Sequence, residues 1–150
     1  ADILTPNLTE ACILTDTPYR EHWRVAEIEK MAETLSQMGP EKVVVTGIPQ
    51  HSFVANLCYE KGQGCKVMRT HKIGTSRSGT GDIFASVLSG ALVRGASIEQ
   101  ALSIAVNFTA DTIQATLPDL RTLPSEEAPW YGVEFEACIG NLVDYVKEIQ

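Results

Sequence analysis

The sequence has no uninterrupted run of about eighteen apolar residues, the length a membrane-spanning helix needs, so a membrane partner is not expected. Its opening residues, Ala1-Asp2-Ile3-Leu4, lack the basic-then-apolar plan of a secretory signal, which makes the cytoplasm the expected compartment. Cys12, Cys58, Cys65 and Cys138 form no Cys-x-x-Cys pair, and His22, His51 and His71 do not supply zinc-ligand spacing. The thiols are therefore expected to be small buried hydrophobes in a reducing cell. Positive charge is scarce: 12 Lys and Arg face 19 Asp and Glu, a net charge of -7, which disfavours attraction of a polyanion over the whole surface. A nucleic-acid partner is accordingly not expected. Internal repeats and low-complexity tracts are also missing, and with 44% apolar and 21% charged residues the chain is neither disordered nor collagen-like.

What is there is a globular composition spread over 150 residues, a usual length for one domain with its own core, so residues 1–150 are expected to form one. The chain starts without Met and passes at once through an apolar pair to Thr-Pro-Asn. That reads like the middle of a fold and predicts an N-terminal part outside the sequence.

The apolar periodicity predicts a mostly buried strand over Asp2–Thr5, broken by Pro6-Asn7 before a short helix from Thr9 to about Leu14. From about His22 to Met38, residues Ile28, Met31, Ala32, Leu35 and Met38 fall on one helical face, and Gly39-Pro40 is a stop signal. Lys42–Thr46 is a β-branched strand with apolar residues on both faces, expected to end at Gly47. Ser52–Glu60 and Cys65–Ile73 read as a hairpin at the sheet edge, joined by Lys61-Gly62-Gln63-Gly64. A helix over Ile83–Arg94 closes at Gly95. A second opens on the capping box Ser97-Ile98-Glu99-Gln100 and runs to about Thr116, where Leu117-Pro118 ends it. Residues 118–132 read as a loop, and a last helix over Phe135–Ile149 is expected to bury Leu142, Val143 and Val146. The layout is α/β.

The strongest chemical signal is Gly79-Thr80-Gly81-Asp82 leading directly into a helix. Glycines at such a junction let successive backbone N–H groups converge on one point, and the helix dipole adds positive potential there. A carboxylate beside an anion site repels the anion, yet one next to a transferring phosphoryl group can accept the proton of an attacking hydroxyl. Asp82 is thus a candidate general base, or else a first-turn acidic residue paired with the dipole. Thr5, Asn7 and Glu10 stand at the end of the first strand and the start of the next helix, where α/β sheets place ligand groups. Their oxygens suit Mg²⁺, which keeps several waters and needs few protein ligands; the alternative is an ordinary turn with a solvated Glu10. Thr46-Gly47 is a candidate contact for nucleotide phosphate or ribose, or a plain strand end. Arg77 is a candidate phosphate partner, or an exposed residue of a flexible Gly74–Gly79 segment.

Taken in order, Asp-Ile-Leu-Thr-Pro-Asn-Leu-Thr-Glu-Ala (2–11), Gly-Pro-Glu-Lys-Val-Val-Val-Thr-Gly (39–47) and Ser-Gly-Thr-Gly-Asp-Ile-Phe-Ala-Ser (78–86) resemble the ribokinase-like vitamin kinases, and among them the pyridoxal kinases. The resemblance spans nearly the whole chain but only about the C-terminal half of such an enzyme. It implies a three-layer α/β sandwich, represented here by part of its central sheet, flanking helices and an edge hairpin. It also implies ATP-dependent phosphorylation of the hydroxymethyl group of pyridoxal, pyridoxine or pyridoxamine. In that family the Gly-Thr-Gly-Asp loop is the anion hole and its Asp the catalytic base, which carries over to Gly79, Thr80, Gly81 and Asp82. The Asn-x-x-Glu element, here Asn7 and Glu10 with Thr5 nearby, arranges Mg²⁺ and the ATP phosphates, and Thr46 contacts ATP. A monovalent cation is a third candidate cofactor.

Hydroxymethylpyrimidine kinases, the nearest relatives, often carry Cys at the position of Asp82, which favours the pyridoxal side. Arg77-Ser78 stands where some dual-specificity members place a Cys, so a covalent aldehyde trap is absent at that position. The substrate-contacting residues and active-site cover of the family come mostly from the N-terminal half, so the expected partner is that missing half or a second copy of the chain. The competing expectations are a hydroxymethylpyrimidine or sugar kinase, and a non-catalytic nucleotide-binding half-domain that self-associates.

Overall fold

The computed structural model describes residues 1–74, 77–120 and 132–149, which divide into two compact units, Ala1–Lys72 and Ile73–Gln150. The first is built on strands β1 (Ile3–Leu4), β2 (Lys42–Gln50), β3 (Phe53–Glu60) and β4 (Gly64–His71), lying side by side in that order. β1 runs parallel to β2, so the chain must cross over between them, and it does so through helices α1 (Leu8–Leu14) and α2 (Val25–Gln37). The remaining pairs are antiparallel, with the β3–β4 hairpin at the edge as expected. Stiff β-branched side chains favour a pleated strand, and Val43, Val44 and Val45 are wholly buried, so β2 buries both faces. Ile28, Met31, Ala32 and Leu35 of α2 pack in one cluster with Leu8, Ala11 and Cys12 of α1 and with Val43, Val45 and Leu57 of the sheet. Each large side chain fully buried there contributes about 1.5–3 kcal/mol.

Several boundaries in this unit differ from the sequence expectation, those of α2 and β2 and, by one or two residues, those of β1, α1, β3 and β4. The α2 helix starts at Val25, where the Glu27 carboxylate accepts the Arg24 N–H at 2.9 Å, and ends at Gln37. Met38 therefore lies one residue past the helix, off the apolar stripe, and is 63% exposed. The β2 strand does not stop at Gly47 but continues to Gln50 through a bulge: Val45 pairs with Leu57 and Ile48 with Ala55, leaving Thr46 and Gly47 opposite the single residue Asn56.

The second unit is helical over its described residues: α3 (Thr80–Val93), α4 (Ile98–Leu120), a 3₁₀ turn (Glu136–Cys138) and α5 (Ile139–Lys147). Gly95 follows α3 at φ +96°, a left-handed setting that glycine takes at least cost, and its N–H donates to the Leu92 carbonyl at 2.9 Å. The Ser97–Gln100 capping box is present, with the Gln100 side chain accepting from the Ser97 N–H at 2.9 Å and Ser97 Oγ from the Gln100 N–H at 3.2 Å. The α4 helix runs on past Thr116 and contains Pro118. Of the expected 118–132 loop, residues 121–131, with Pro124 and Pro129, lie outside the described residues. On α5, Leu142 and Val146 are half-buried but Val143 is 58% exposed. The helix is held to α4 instead by polar contacts, Asp111 Oδ2 accepting from Asn141 Nδ2 at 2.8 Å and from the Tyr145 hydroxyl at 2.7 Å.

Candidate active site

Within the first unit, the fold gathers the candidate residues where β1 hands over to α1. Asn7 is the N-cap of α1: its Oδ1 accepts the Glu10 N–H at 2.9 Å, while the Asn7 N–H donates to Glu10 Oε2 at 2.8 Å. This reciprocal capping box satisfies the first donors of the helix from within. The Thr46 N–H donates to the Pro6 carbonyl at 2.9 Å, and Asn7 and Thr46 form an isolated parallel bridge that prolongs the β1–β2 pairing. Asn7, Glu10, Thr46 and Gly47 thus share one end of this strand pair, with Thr5 directly before the buried Pro6. Asn7 and Glu10 are exposed and Thr46 is half-buried.

Within the second unit, Arg77 and Gly79–Asp82 form the approach to α3. Gly79 is its N-cap at φ +87°, a region where other residues are strained, and a Cβ there would meet nothing within 4 Å. Backbone conformation, not crowding, is what asks for glycine. Thr80 Oγ1 donates to the Arg77 carbonyl at 2.9 Å, closing the turn, and the first helical bond runs from the Ile83 N–H to the Gly79 carbonyl at 3.0 Å. The N–H groups of Thr80, Gly81 and Asp82 precede that bond and have no intrahelical acceptor. No side chain of the N-cap residue takes their place, since Gly79 has none. Asp82 is exposed in the first turn.

For a divalent cation, the donor set in the first unit is small. The cap engages Asn7 Oδ1 and Glu10 Oε2, leaving Glu10 Oε1 outside it. One exposed carboxylate oxygen fits an ion that keeps most of its water shell, as Mg²⁺ does. Among the described residues no group of three or more His, Cys, Asp or Glu is arranged to enclose a metal. The four thiols are free, and burial pushes Cys58 up to about 11, so it is an inert packing group as expected.

One feature of this region is absent from the sequence reading. Asn56 on β3 is 7% exposed, and its Oδ1 accepts the Gly47 N–H, at 3.2 Å, that the bulge has taken out of the ladder. The available signal was an isolated glycine inside a β-branched run, which marks a bulge as readily as a strand end.

Residues 1–122 match the phosphomethylpyrimidine kinase family. A pyridoxal kinase of Corynebacterium diphtheriae is 30% identical over 135 residues, 85% of this chain and 47% of that protein. The solved pyridoxal kinase of Entamoeba histolytica superposes with a TM-score of 0.80 at 22% identity, covering all of this chain and 50% of the other, a likeness of fold alone. The Staphylococcus aureus pyridoxal kinase, solved in complex with AMP-PCP, gives a TM-score of 0.68 at 27% identity over 76% of this chain and 42% of its own. The chain spans less than half the length of the curated relatives it matches. The α/β architecture is thus that of about half of a ribokinase-like kinase, and the match over residues 1–122 makes the chain a member of the phosphomethylpyrimidine kinase family.

Proposed function

We propose that this chain is the nucleotide-binding and catalytic half of an ATP- and Mg²⁺-dependent kinase that phosphorylates the hydroxymethyl group of pyridoxal, pyridoxine or pyridoxamine. The observation that carries the reading is the start of α3, where Gly79 at φ +87° leaves the first helical N–H groups without a side-chain cap from the N-cap residue, beside an exposed Asp82. Kinship with kinases, one of them solved with an ATP analogue, supports the nucleotide as phosphoryl donor.

In this reading Asp82 accepts the proton of the substrate hydroxyl as its oxygen attacks the γ-phosphorus, and the bond from that phosphorus to the β–γ bridging oxygen breaks to release ADP. The N–H groups of Thr80, Gly81 and Asp82, with that of Gly79, face the charge spreading over the transferring phosphoryl oxygens. Thr80 Oγ1, through its bond to the Arg77 carbonyl, keeps the turn in that setting. Arg77 supplies positive charge on the approach to the loop. Thr46 and Gly47 contact the nucleotide, and Asn7, Glu10 and Thr5 arrange the metal side of the phosphates. Bound Mg²⁺ supplies charge neutralisation on the phosphate oxygens. The acceptor pocket comes from sequence corresponding to the rest of the relatives' length, which with residues 1–150 completes one catalytic domain working in the cytoplasm.

A second reading, hydroxymethylpyrimidine or its phosphate as acceptor, is favoured by the family match itself. Asp82 in the loop, in place of the Cys common in hydroxymethylpyrimidine kinases, favours the B6 vitamers. The test is the full gene product carrying this sequence, incubated with Mg-ATP and each acceptor in turn, with products identified by mass. Phosphorylated pyridoxal formed at the higher kcat/KM is expected. Preference for the pyrimidine would transfer the protein to the second reading, and transfer to neither would overturn both.

A further inference from the structure

Asn56 is a polar side chain in the middle of a buried stretch of β3, between Ala55 and Leu57, both 0% exposed. A buried amide costs stability unless it is hydrogen-bonded, so a reason for its presence is expected in what it holds. It stands opposite the two bulged residues Thr46 and Gly47, and its Oδ1 takes the Gly47 N–H at 3.2 Å. Gly47 itself sits at φ +69° with open space where a side chain would stand. On the other side of the bulge the Thr46 N–H is held by the Pro6 carbonyl at 2.9 Å, and Thr46 is bridged to Asn7. The bulge is therefore clamped from both flanks, by β3 through a side chain and by the β1–α1 junction through backbone.

We propose that Asn56 is a positioning residue for the nucleotide side of the site, fixing the Thr46–Gly47 bulge beside the Asn7 cap so that both meet the same phosphate chain. The inference rests on the kinase reading above. Leucine at position 56 fills similar space but leaves the Gly47 N–H without its acceptor. That N–H then turns to another partner, and the peptide between Thr46 and Gly47 loses its setting. Asp82 and the α3 amides belong to a different part of the chain, so the chemical step is spared.

The test is Asn56→Leu in the full gene product, with KM for Mg-ATP, kcat, equilibrium Mg-ATP binding and melting temperature measured together. Loss of the hydrogen bond that fixes the bulge predicts a KM for Mg-ATP raised about tenfold, with kcat within about threefold of wild type. Asn56→Asp, which keeps an acceptor oxygen, is expected to recover most of the KM. Asn56→Ala, which removes the acceptor without forcing a larger apolar group into its place, should reproduce the KM rise if Asn56→Leu fails to fold. A lowered melting temperature with unchanged KM, or equal losses in kcat and affinity that the Asp variant does not recover, would overturn the proposal. Should the wild type bind Mg-ATP but transfer nothing, the kinase reading fails and the binding ratio between wild type and Asn56→Leu decides the role of Asn56. Absence of Mg-ATP binding by the wild type would overturn both.

Discussion

The two helix starts at the centre of this account handle the same physical problem in opposite ways. Every α-helix begins with N–H groups that no carbonyl of its own can accept. The α1 helix satisfies its first donors with its own Asn7 and Glu10, whereas α3 begins at a glycine in the left-handed region and offers them no side chain at its N-cap. A capped start is stable and closed to an anion; an uncapped one at the end of a glycine turn is less stable alone and open to one. In the proposed function the open start is the one that meets the phosphoryl oxygens and the closed start the one that positions residues around the phosphates.

The largest expected effect breaks the open start. Asp82→Asn in the full gene product removes the proton acceptor while keeping the side chain's size, and is expected to lower kcat by about 10²–10⁴ with KM for Mg-ATP nearly unchanged. Unaltered turnover would remove Asp82 from the chemistry. Next comes Gly79→Val: a β-branched residue strains the φ +87° setting, turns the amides of residues 80–82 aside and should cost about 10² in kcat. A rate equal to wild type would show that their alignment is dispensable.

The closed start is sharpened by Glu10→Gln. Glutamine preserves the capping box, so melting should change by less than about 0.5 kcal/mol, while loss of the charge raises the Mg²⁺ concentration for half-maximal rate about tenfold. Equal Mg²⁺ dependence would leave Glu10 as a cap only. The smallest effect is a control on α4 and α5, at residues that take part in neither start. The hydrogen bond that the Tyr145 hydroxyl donates to the Asp111 carboxylate, together with burial, pushes that phenol up to about 12. Its folded value exceeds the unfolded one near 10, so its contribution, about 1 kcal/mol, is whole below pH 10 and lost as the pH rises through about 12. The stability difference between wild type and Tyr145→Phe, followed against pH, should be flat and then fall. A difference constant through pH 12 would refute the contact.

Much of this was legible because it is local. Gly95 after an apolar helix, Ser97 three residues before Gln100, and a glycine-rich turn between two strand-like runs are signals carried by a few neighbouring residues, and each forms as read. The pattern Asn7-x-x-Glu10 is equally local, and its capping box could have been read from those residues alone. What escaped depends on contacts distant in sequence. The continuation of β2 beyond Gly47 needs Asn56, nine residues away, to absorb one N–H. The polar tie between α5 and α4 runs through Asp111, an acidic residue 30 positions before Asn141. For the site, residue types and order were readable, but the contrast between a start capped by its own side chains and one without a side-chain cap needed backbone geometry.

The most direct test of that contrast follows the backbone N–H resonances of Thr80, Gly81 and Asp82 in the full gene product. They are compared in Mg-ADP alone and after addition of a planar aluminium fluoride mimic of the transferring phosphoryl group. These resonances are expected to move when the mimic binds, while the N–H of Glu10, already held by Asn7, changes far less. Resonances of residues 80–82 that stay in place with the mimic bound would contradict that contrast.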